Sequence, residues 1–368
     1  MPATPRPLLV LALASALALT ACSAAEPDPP TAGPTAPADA RLRDAAPEGL
    51  LVGAAVAGGG HHVDADYPDP FPNDEPYREL LASEFSSLTP ENQLKWEFVH
   101  PERDRYEFGA ADAIVAFAEE HGQAVRGHTL LWHSQNPDWL TEGEFSDAEL
   151  RDILHEHIST VVGRYAGRIA EWDVANEIFD DSGALRSENL WILRLGEGIV
   201  ADAFRWAHEA DPDARLFLND YGMESGGPKA DAYLALVKEL LAEGVPVGGV
   251  GFQGHLAFEY SAPGGMADNL RRFVDLGLAV AVTEADVRMP VDGTPTNAQL
   301  TQQAEWFGEL LEGCLDAGHC TSFTLWGAPD RYSWVPVFFP SQGAATPWWD
   351  DLSRKPAYDT LWGILDAR

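Results

Sequence analysis

The stretch Trp172-Asp173-Val174-Ala175-Asn176-Glu177 is a largely apolar run that ends on an amide and a carboxylic acid. The run predicts a buried strand, and its last two residues place hydrogen-bonding groups where that strand meets solvent. In barrels built from alternating strands and helices, reactive groups stand at the carboxyl ends of the strands. A lone glutamate at such a position is more often a surface or capping residue. A function for Glu177 therefore requires a partner group and a pocket supplied by the rest of the chain.

Short apolar runs alternate with stretches of helical periodicity from about residue 50 onward, which favours βα units over a sandwich. Most runs are continuously apolar, as in parallel strands buried on both faces. Capping boxes predict helix starts at Ser146 and Thr296. The eight predicted strands are residues 50–57, 84–90, 124–132, 169–177, 215–221, 247–256, 279–287 and 321–327. Eight strands with eight helices predict the α/β class and a single (β/α)8 TIM barrel.

The charge balance argues against two classes of partner. Lys and Arg number 24 against 58 Asp and Glu, which gives a net charge of -34. Proteins that bind nucleic acid need basic patches to displace counterions, and anionic lipid attracts basic segments. We therefore expect no nucleic-acid partner and no electrostatic adhesion to membranes. The 12 tryptophans include candidates for stacking on sugar rings, whose C–H faces are apolar.

The N-terminus has the pattern of an export signal. Residues 1–22 contain one early basic residue and an apolar run that is too short for a membrane span of about 20 residues. The signal closes on Leu-Thr-Ala-Cys at residues 19–22, which resembles a bacterial lipobox. This favours a lipoprotein signal peptide with Cys22 lipidated, and an ordinary secretory signal is the alternative. We expect an exported protein, either a cell-surface lipoprotein or a secreted one.

Two further features accompany the export signal. Residues 23–44 are rich in proline and alanine and predict a linker between the signal and the folded part. Cys314 and Cys320 are the two cysteines that remain, and in an exported protein such a pair favours a disulfide over a metal site. No metal and no other cofactor is expected.

Seven of the eight predicted strands end in polar or aromatic residues. Burial of so many polar groups is costly without mutual hydrogen bonds or a polar ligand. The joint pattern therefore predicts a polar cleft with aromatic walls. Within it, Glu177 and Glu284 end the fourth and seventh strands. Paired carboxyls can divide labour in glycoside hydrolysis, because one protonates the leaving oxygen while the other attacks or stabilises the cation.

Five segments of the chain resemble glycoside hydrolase family 10, the retaining endo-1,4-β-xylanases. The segments are FSSLTPENQLKW at 85–96, RGHTLLWH at 126–133, WDVANE at 172–177, GFQGHL at 251–256 and TEAD at 283–286. Several long segments in one order form a specific signal. The resemblance implies a catalytic domain over residues 45–368 that hydrolyses internal β-1,4 linkages of xylan. We expect a polysaccharide partner, no cofactor and a monomer.

The resemblance also implies a role for each residue of the cleft. Glu177 is expected to be the general acid/base and Glu284 the nucleophile. His255 and Asp286 are expected to hydrogen-bond around the nucleophile, and Asn176 to reach the sugar hydroxyl beside the reacting carbon. The residues expected to line the sugar-binding cleft are Glu91, Asn92, Lys95, His128, Trp132, Gln135, Tyr221, Gln253, Trp326 and Trp334.

Two positions depart from the family pattern, and two alternative functions stay open. Gly222 stands where many members carry Asn, and Ala285 stands where they usually carry Leu. Neither position carries a reacting group, so both bear on side-activity and product size and not on the reaction itself. The first alternative is a β-1,4-glucanase or mixed xylanase/cellulase of the same mechanism. The second is a non-catalytic, surface-anchored glycan-binding lipoprotein, against which the presence of both glutamates argues.

Overall fold

The computed structural model describes residues 35–368. The predicted signal peptide, the predicted lipidation site Cys22 and residues 23–34 of the predicted linker lie outside the described residues. Within the described part the strands are β1 Leu51–Val56, β2 Ser87–Pro90, β3 Ala124–Leu131, β4 Glu171–Asn176, β5 Arg215–Asp220, β6 Gly249–Phe252, β7 His255–Ala257, β8 Ala279–Pro290, β9 Cys320–Leu325 and β10 Gln342–Gly343.

Eight of these strands form a closed parallel barrel. Each of β1 to β6 pairs with its neighbour in chain order, except that β6 pairs directly with β8, and β8 pairs with β9. Strand β1 pairs with both β2 and β9, which closes the ring. The short strand β7 pairs parallel with the C-terminal part of β8, and β10 pairs antiparallel with the last residues of β8. The prediction of a (β/α)8 TIM barrel is confirmed.

The helices surround the barrel and also fill its loops. They are α1 Leu42–Ala45, α2 Pro70–Asn73, α3 Glu75–Glu84, α4 Trp96–Val99, α5 Gly109–Glu120, α6 Asp138–Thr141, α7 Asp147–Arg164, α8 Leu190–Leu195, α9 Ile199–Ala210, α10 Pro228–Ala242, α11 Met266–Val274, α12 Asn297–Asp316, α13 Val335–Phe338 and α14 Pro356–Asp366. Several are single turns in loops, so the described residues hold more helices than the predicted eight. Both predicted capping boxes are present, at Ser146 before α7 and at Thr296 before α12.

Tight packing inside the barrel holds β4 in place. All six residues of this strand are buried. The Trp172 ring lies against β3 at Gly127, where an added Cβ would stand 2.2 Å from a ring carbon. Glycine at this position therefore allows the large ring to fill the interior, and it leaves the end of β4 rigidly positioned.

Several strand ends differ by one to three residues from the sequence-based bounds, and two differences are larger. The predicted strand 247–256 is divided into β6 and β7, because Gly254 adopts a φ of 78° that interrupts the extended chain. The predicted linker also ends earlier than residue 44. Ala36, Ala40 and Leu42 are buried, and Arg354 donates to the carbonyl of Pro37 at 2.9 Å. The folded part thus begins before residue 45.

Cys314 and Cys320 form the predicted disulfide, which joins the end of α12 to the start of β9. Across residues 35–368, no helix combines the length and the apolar character needed to cross a membrane.

Candidate active site

A cleft of about 760 Å³ opens at the carboxyl ends of the barrel strands. Most of the predicted site residues lie in its wall. They are Glu91, Asn92, Lys95, His128, Trp132, Gln135, Glu177, Tyr221, Gln253, His255, Glu284, Trp326 and Trp334. Two predicted residues, Asn176 and Asp286, are fully buried and lie behind the wall instead of in it.

Glu177 stands directly after β4 in an unusual backbone conformation. Its φ is 52°, in the left-handed region that non-glycine residues seldom adopt, and such positions cluster at functional sites. A backbone hydrogen bond from Glu177 N to Asn219 O, at 2.9 Å, holds this conformation. The carboxylate accepts from Trp132 Nε1 and from Gln253 Nε2, each at 3.0 Å. Two donors, one directly after β3 and one directly after β6, therefore fix the direction of the carboxyl group.

Glu284 lies within β8 and is almost completely buried. One carboxylate oxygen accepts from Asn219 Nδ2 at 2.7 Å, and the other lies 3.2 Å from His255 Nε2. Its backbone N donates to the carbonyl of Gln253 at 2.8 Å. The carboxylate is thus held by an amide on one side and an imidazole on the other.

His255 lies between two carboxylates. Its Nδ1 stands 3.0 Å from Asp286 Oδ2, which also accepts from Trp334 Nε1 at 2.7 Å. Burial lowers the pKa of His255, but the charges and hydrogen bonds of Asp286 and Glu284 outweigh burial and raise it to about 10. The ring is therefore an imidazolium cation at neutral pH, and it places a positive charge beside Glu284.

Asn219 joins the two glutamates, and the sequence-based site did not include it. Its backbone carbonyl accepts from Glu177 N, while its side chain donates to Glu284 and accepts from Thr283 Oγ1 at 2.6 Å. The amide of Asn176 lies 2.8 Å from that of Asn219. The signal was present, because Asn219 is a polar residue near the end of β5 like the residues that were selected.

A second group of polar side chains forms one end of the cleft. Asn92 Oδ1 accepts from Lys95 Nζ at 3.0 Å and from Gln135 Nε2 at 3.2 Å. Lys95 Nζ also stands 4.9 Å from the centre of the Trp132 ring. Burial lowers the pKa of Lys95, although nearby carboxylates, first Glu91, oppose the shift. These donors and acceptors suit the closely spaced hydroxyl groups of a sugar.

The other end of the cleft is built around Tyr221. Its hydroxyl accepts from Arg186 Nη2 at 2.5 Å, and Lys229 Nζ lies 3.7 Å from its ring centre. Burial raises the pKa of Tyr221, and the two cations oppose that shift. The neighbouring Gly222 faces open space, since a Cβ there would have no atom within 4 Å. Its lack of a side chain leaves this end of the cleft wide.

Several residues of the cleft wall carried no signal in the sequence. They are His61, Ser134, Asp181, Tyr260, Arg288, Phe338 and Phe339. Most lie in loops beyond the strand ends, where no periodicity predicts which side chain turns inward. Asp220 was likewise passed over. It is buried behind Tyr221 and accepts from Tyr233 at 2.6 Å, and burial raises its pKa to about 7 against the opposing charge of Lys229.

A sequence model of glycosyl hydrolase family 10 matches residues 45–364, which is most of the chain. The chain belongs to glycosyl hydrolase family 10. It is therefore a glycoside hydrolase, and the paired glutamates lie in the cleft of a family member.

Relatives and solved structures agree with this assignment. The chain is similar to endo-1,4-beta-xylanase B of Thermotoga neapolitana, with 40% identity over 297 residues, 81% of this chain and 85% of the relative. It is 37% identical to an endo-1,4-beta-xylanase of Agaricus bisporus over 315 residues, 85% and 92% of the two chains. Xylanase 10B of Thermotoga maritima superposes with a TM-score of 0.83 at 40% identity, covering 89% and 98%. Xylanase 10B of Thermotoga petrophila RKU-1, solved in complex with xylobiose, gives the same values.

Proposed function

We infer that the protein is an endo-1,4-β-xylanase that cleaves internal β-1,4 linkages of xylan with retention of configuration. The observation that carries this inference is the joint attachment of Glu177 and Glu284 to Asn219, at 2.9 Å and 2.7 Å. Asn219 thereby links the backbone of Glu177 to the carboxylate of Glu284. The xylanase relatives and the xylobiose complex of the T. petrophila enzyme support xylan as the substrate.

In the first step Glu284 is the nucleophile. Its carboxylate oxygen forms a bond to the anomeric carbon as the bond from that carbon to the leaving sugar breaks. Asn219 donates to this carboxylate and the His255 cation lies beside its other oxygen, so both orient the attacking group. Glu177 gives its proton to the departing oxygen, and the product is a covalent glycosyl-enzyme.

In the second step Glu177 reverses its role. It takes a proton from water, the water oxygen attacks the anomeric carbon, and the bond to Glu284 breaks. Two inversions at one carbon restore the β configuration. The contacts from Trp132 and Gln253 keep the Glu177 carboxyl in one place through both steps.

The remaining residues bind the chain of sugars. We assign the glycone side of the cleft to Glu91, Asn92, Lys95, His128, Trp132, Gln135 and Gln253, ring stacking to Trp326 and Trp334, and the leaving-group side to Tyr221. Asp286 acts through His255. Asn176 is fully buried against Asn219, so its contact with a sugar hydroxyl stays a prediction, and we assign it to holding Asn219.

The reaction is tested by the products and by the separation of the carboxyls. Retention requires about 5–5.5 Å between the two carboxyl groups and releases the β-anomer first. Proton NMR of early products would detect the α-anomer if the enzyme inverted instead, which would refute the assignment. Rates on xylan and on carboxymethylcellulose separate a xylanase from the glucanase alternative. Absence of new reducing ends on both would favour a non-catalytic binding protein.

Glu177→Ala separates the roles of the two glutamates. Loss of a general acid/base costs about 10²- to 10⁴-fold in rate. We expect that loss of rate on xylan, whose leaving group is a sugar and needs protonation. On an activated aryl xylobioside with added azide, we expect a much smaller loss of rate. Azide replaces the water that Glu177 would have activated and yields a β-glycosyl azide. Full activity on xylan without rescue on the aryl substrate would contradict the assignment.

We propose further that the protein is exported as a lipoprotein. The proposal rests on the signal pattern of residues 1–22 and on the lipobox that ends at Cys22. A linker follows the anchor, and the catalytic domain acts as a monomer at the cell surface. Cys22→Ala should move the protein out of the membrane fraction. A variant that stays in that fraction would refute lipidation.

A further inference from the structure

Two consecutive histidines stand against Glu91 at one end of the cleft. They lie on a short 3-10 helix, Gly60–Asp64, in the loop after β1. His62 Nε2 is 2.8 Å from Glu91 Oε2, and His61 Nδ1 is 3.9 Å from Glu91 Oε1. One donor atom from each of the three residues lies within 4.8 Å of the other two. Tetrahedral zinc with bonds of about 2.0–2.1 Å separates its ligand atoms by about 3.4 Å. On binding an ion, the 2.8 Å contact would therefore widen and the 3.9 Å contact would shorten.

The hydrogen bonding of the two rings also suits a metal. His61 Nε2 is buried without any hydrogen-bond partner among the described residues, which is uncommon for a polar atom. His62 Nδ1 lies 2.7 Å from the Tyr67 hydroxyl. In the metal-free protein His62 Nε2–H donates to Glu91, so metal binding displaces that proton. The Nδ1–H tautomer then donates to the Tyr67 hydroxyl, and metal-binding histidines are usually oriented by such an outer contact.

The three side chains supply the ligand types that a late divalent cation takes. His61 and His62 offer two imidazole nitrogens, and Glu91 supplies the negative charge that such a cation requires.

We propose that His61, His62 and Glu91 bind one late first-row divalent cation, with Zn²⁺ as the reference ion. Two imidazole nitrogens and one carboxylate oxygen are a common zinc set, whereas Mg²⁺ and Ca²⁺ select oxygen ligands. His61 and Glu91 line the cleft, so the bound ion occupies its wall.

The bound ion competes with the sugar for Glu91. This consequence rests on the proposed function, in which Glu91 binds the glycone side. An ion on Glu91 removes a hydrogen-bond acceptor from the sugar and leaves the carboxyls of Glu177 and Glu284 untouched. Zn²⁺ therefore raises KM for xylan and leaves kcat unchanged.

Calorimetry on the untagged full-length protein tests the site without substrate. The protein is stripped with EDTA, dialysed and titrated with ZnCl₂ in a buffer that does not bind zinc. The variants are His61→Asn, His62→Gln and the control His208→Gln, whose ring is exposed on α9. We expect one strong site in the wild type and the control, and at least tenfold weaker binding in the other two. Equal strong binding in all four proteins, or no saturable binding in the wild type, would overturn the proposal.

His61→Asn is the decisive variant if His62→Gln does not fold. The His61 side chain makes no hydrogen bond among the described residues, whereas His62 holds both Glu91 and Tyr67. Thermal melting before titration establishes that each variant is folded.

Initial rates on xylan with added Zn²⁺ test the competition separately. We expect KM to rise in the wild type and in His208→Gln, with little rise in His61→Asn. Equal inhibition of all variants would refute the competition while calorimetry still decides the site. A protein that hydrolyses no xylan would refute the proposed function and leave the calorimetric result valid.

Discussion

Replacing Asn219 with alanine tests whether the residue that couples the two glutamates contributes to catalysis. The substitution removes the hydrogen bond to Glu284 at 2.7 Å and the contacts with Asn176 and Thr283, at 2.8 and 2.6 Å. The backbone contact with Glu177 remains. A hydrogen bond to a charged group contributes about 1.5–3 kcal/mol. If the transition state loses that amount, kcat/KM falls by roughly 10- to 150-fold.

The assay is steady-state hydrolysis of xylan and of an aryl xylobioside, with thermal melting to check the fold. The loss should fall on kcat more than on KM, because Asn219 contacts Glu284 and does not line the cleft. Asn73→Ala, which removes an exposed asparagine that donates to Asp69 O, is the control. A folded Asn219→Ala enzyme with kcat/KM within twofold of the wild type would refute the coupling role.

The variant Asn219→Asp provides a second, independent test of the contact between residue 219 and Glu284. A carboxyl group at this position would stand beside Glu284, and like charges at close range raise a pKa. We expect the acidic limb of the kcat/KM profile to move to higher pH. An unmoved profile in an active Asn219→Asp enzyme would show that the side chain does not face Glu284 during turnover.

Four further predictions concern stability. Because the folded pKa of His255 is raised to about 10, its contribution to stability is complete below about pH 6.5 and is lost as the pH rises through 10. Urea unfolding should show that the difference in unfolding free energy between wild type and His255→Asn becomes smaller over that pH range. Replacing Cys314 and Cys320 with serine should lower the unfolding free energy by about 2 kcal/mol, since the bridge spans a sequence separation of 6. Gly127→Ala should cost about 1–3 kcal/mol by overpacking. Gly163→Ala in α7, where an added Cβ meets no atom within 4 Å, should raise the unfolding free energy by about 0.5–1 kcal/mol.

Each of these predictions has an outcome that contradicts it. A gap between wild type and His255→Asn that is constant from pH 6 to 10 would show that the ring does not gain its proton from the fold. An unchanged unfolding free energy without the disulfide would show that the bridge does not restrict the unfolded chain. Equal effects of the two Gly→Ala changes would show that the contact at β3 is not tight.

The strands could be predicted because their signals are local. Most barrel strands coincide with short, largely apolar runs, and the capping boxes of the two longest helices, α7 and α12, are each confined to four residues. The break after β6 could not be predicted, because it depends on the φ of Gly254, and glycine is compatible with either conformation. The packing of Ala36 and Leu42 also escaped prediction, since small and isolated apolar residues in a proline-rich segment show no periodicity.

The residues of the cleft also divide into those that the sequence predicted and those that it did not. Residues at strand ends were predicted because a parallel barrel brings all its carboxyl ends to one face. Arg288 and Phe339 were not, although the guanidinium lies 3.9 Å from the ring centre and both line the cleft. Arg288 lies in the part of β8 that extends past the predicted strand end at residue 287, and Phe339 directly follows α13. Their inward direction depends on the path of the chain there, which no periodic pattern encodes.

The sequence by itself determined where the strands lie, which acids end them and which family the chain resembles. Those properties depend on residues close together in the chain. Only the tertiary structure decided that Glu177 and Glu284, 107 positions apart (284 − 177), meet through Asn219. It also decided that Glu177 takes a φ of 52° and that His255 becomes a cation between two carboxylates. The physical reason is that hydrogen bonds, burial and charge act between atoms that are close in space, and closure of the barrel determines which atoms those are.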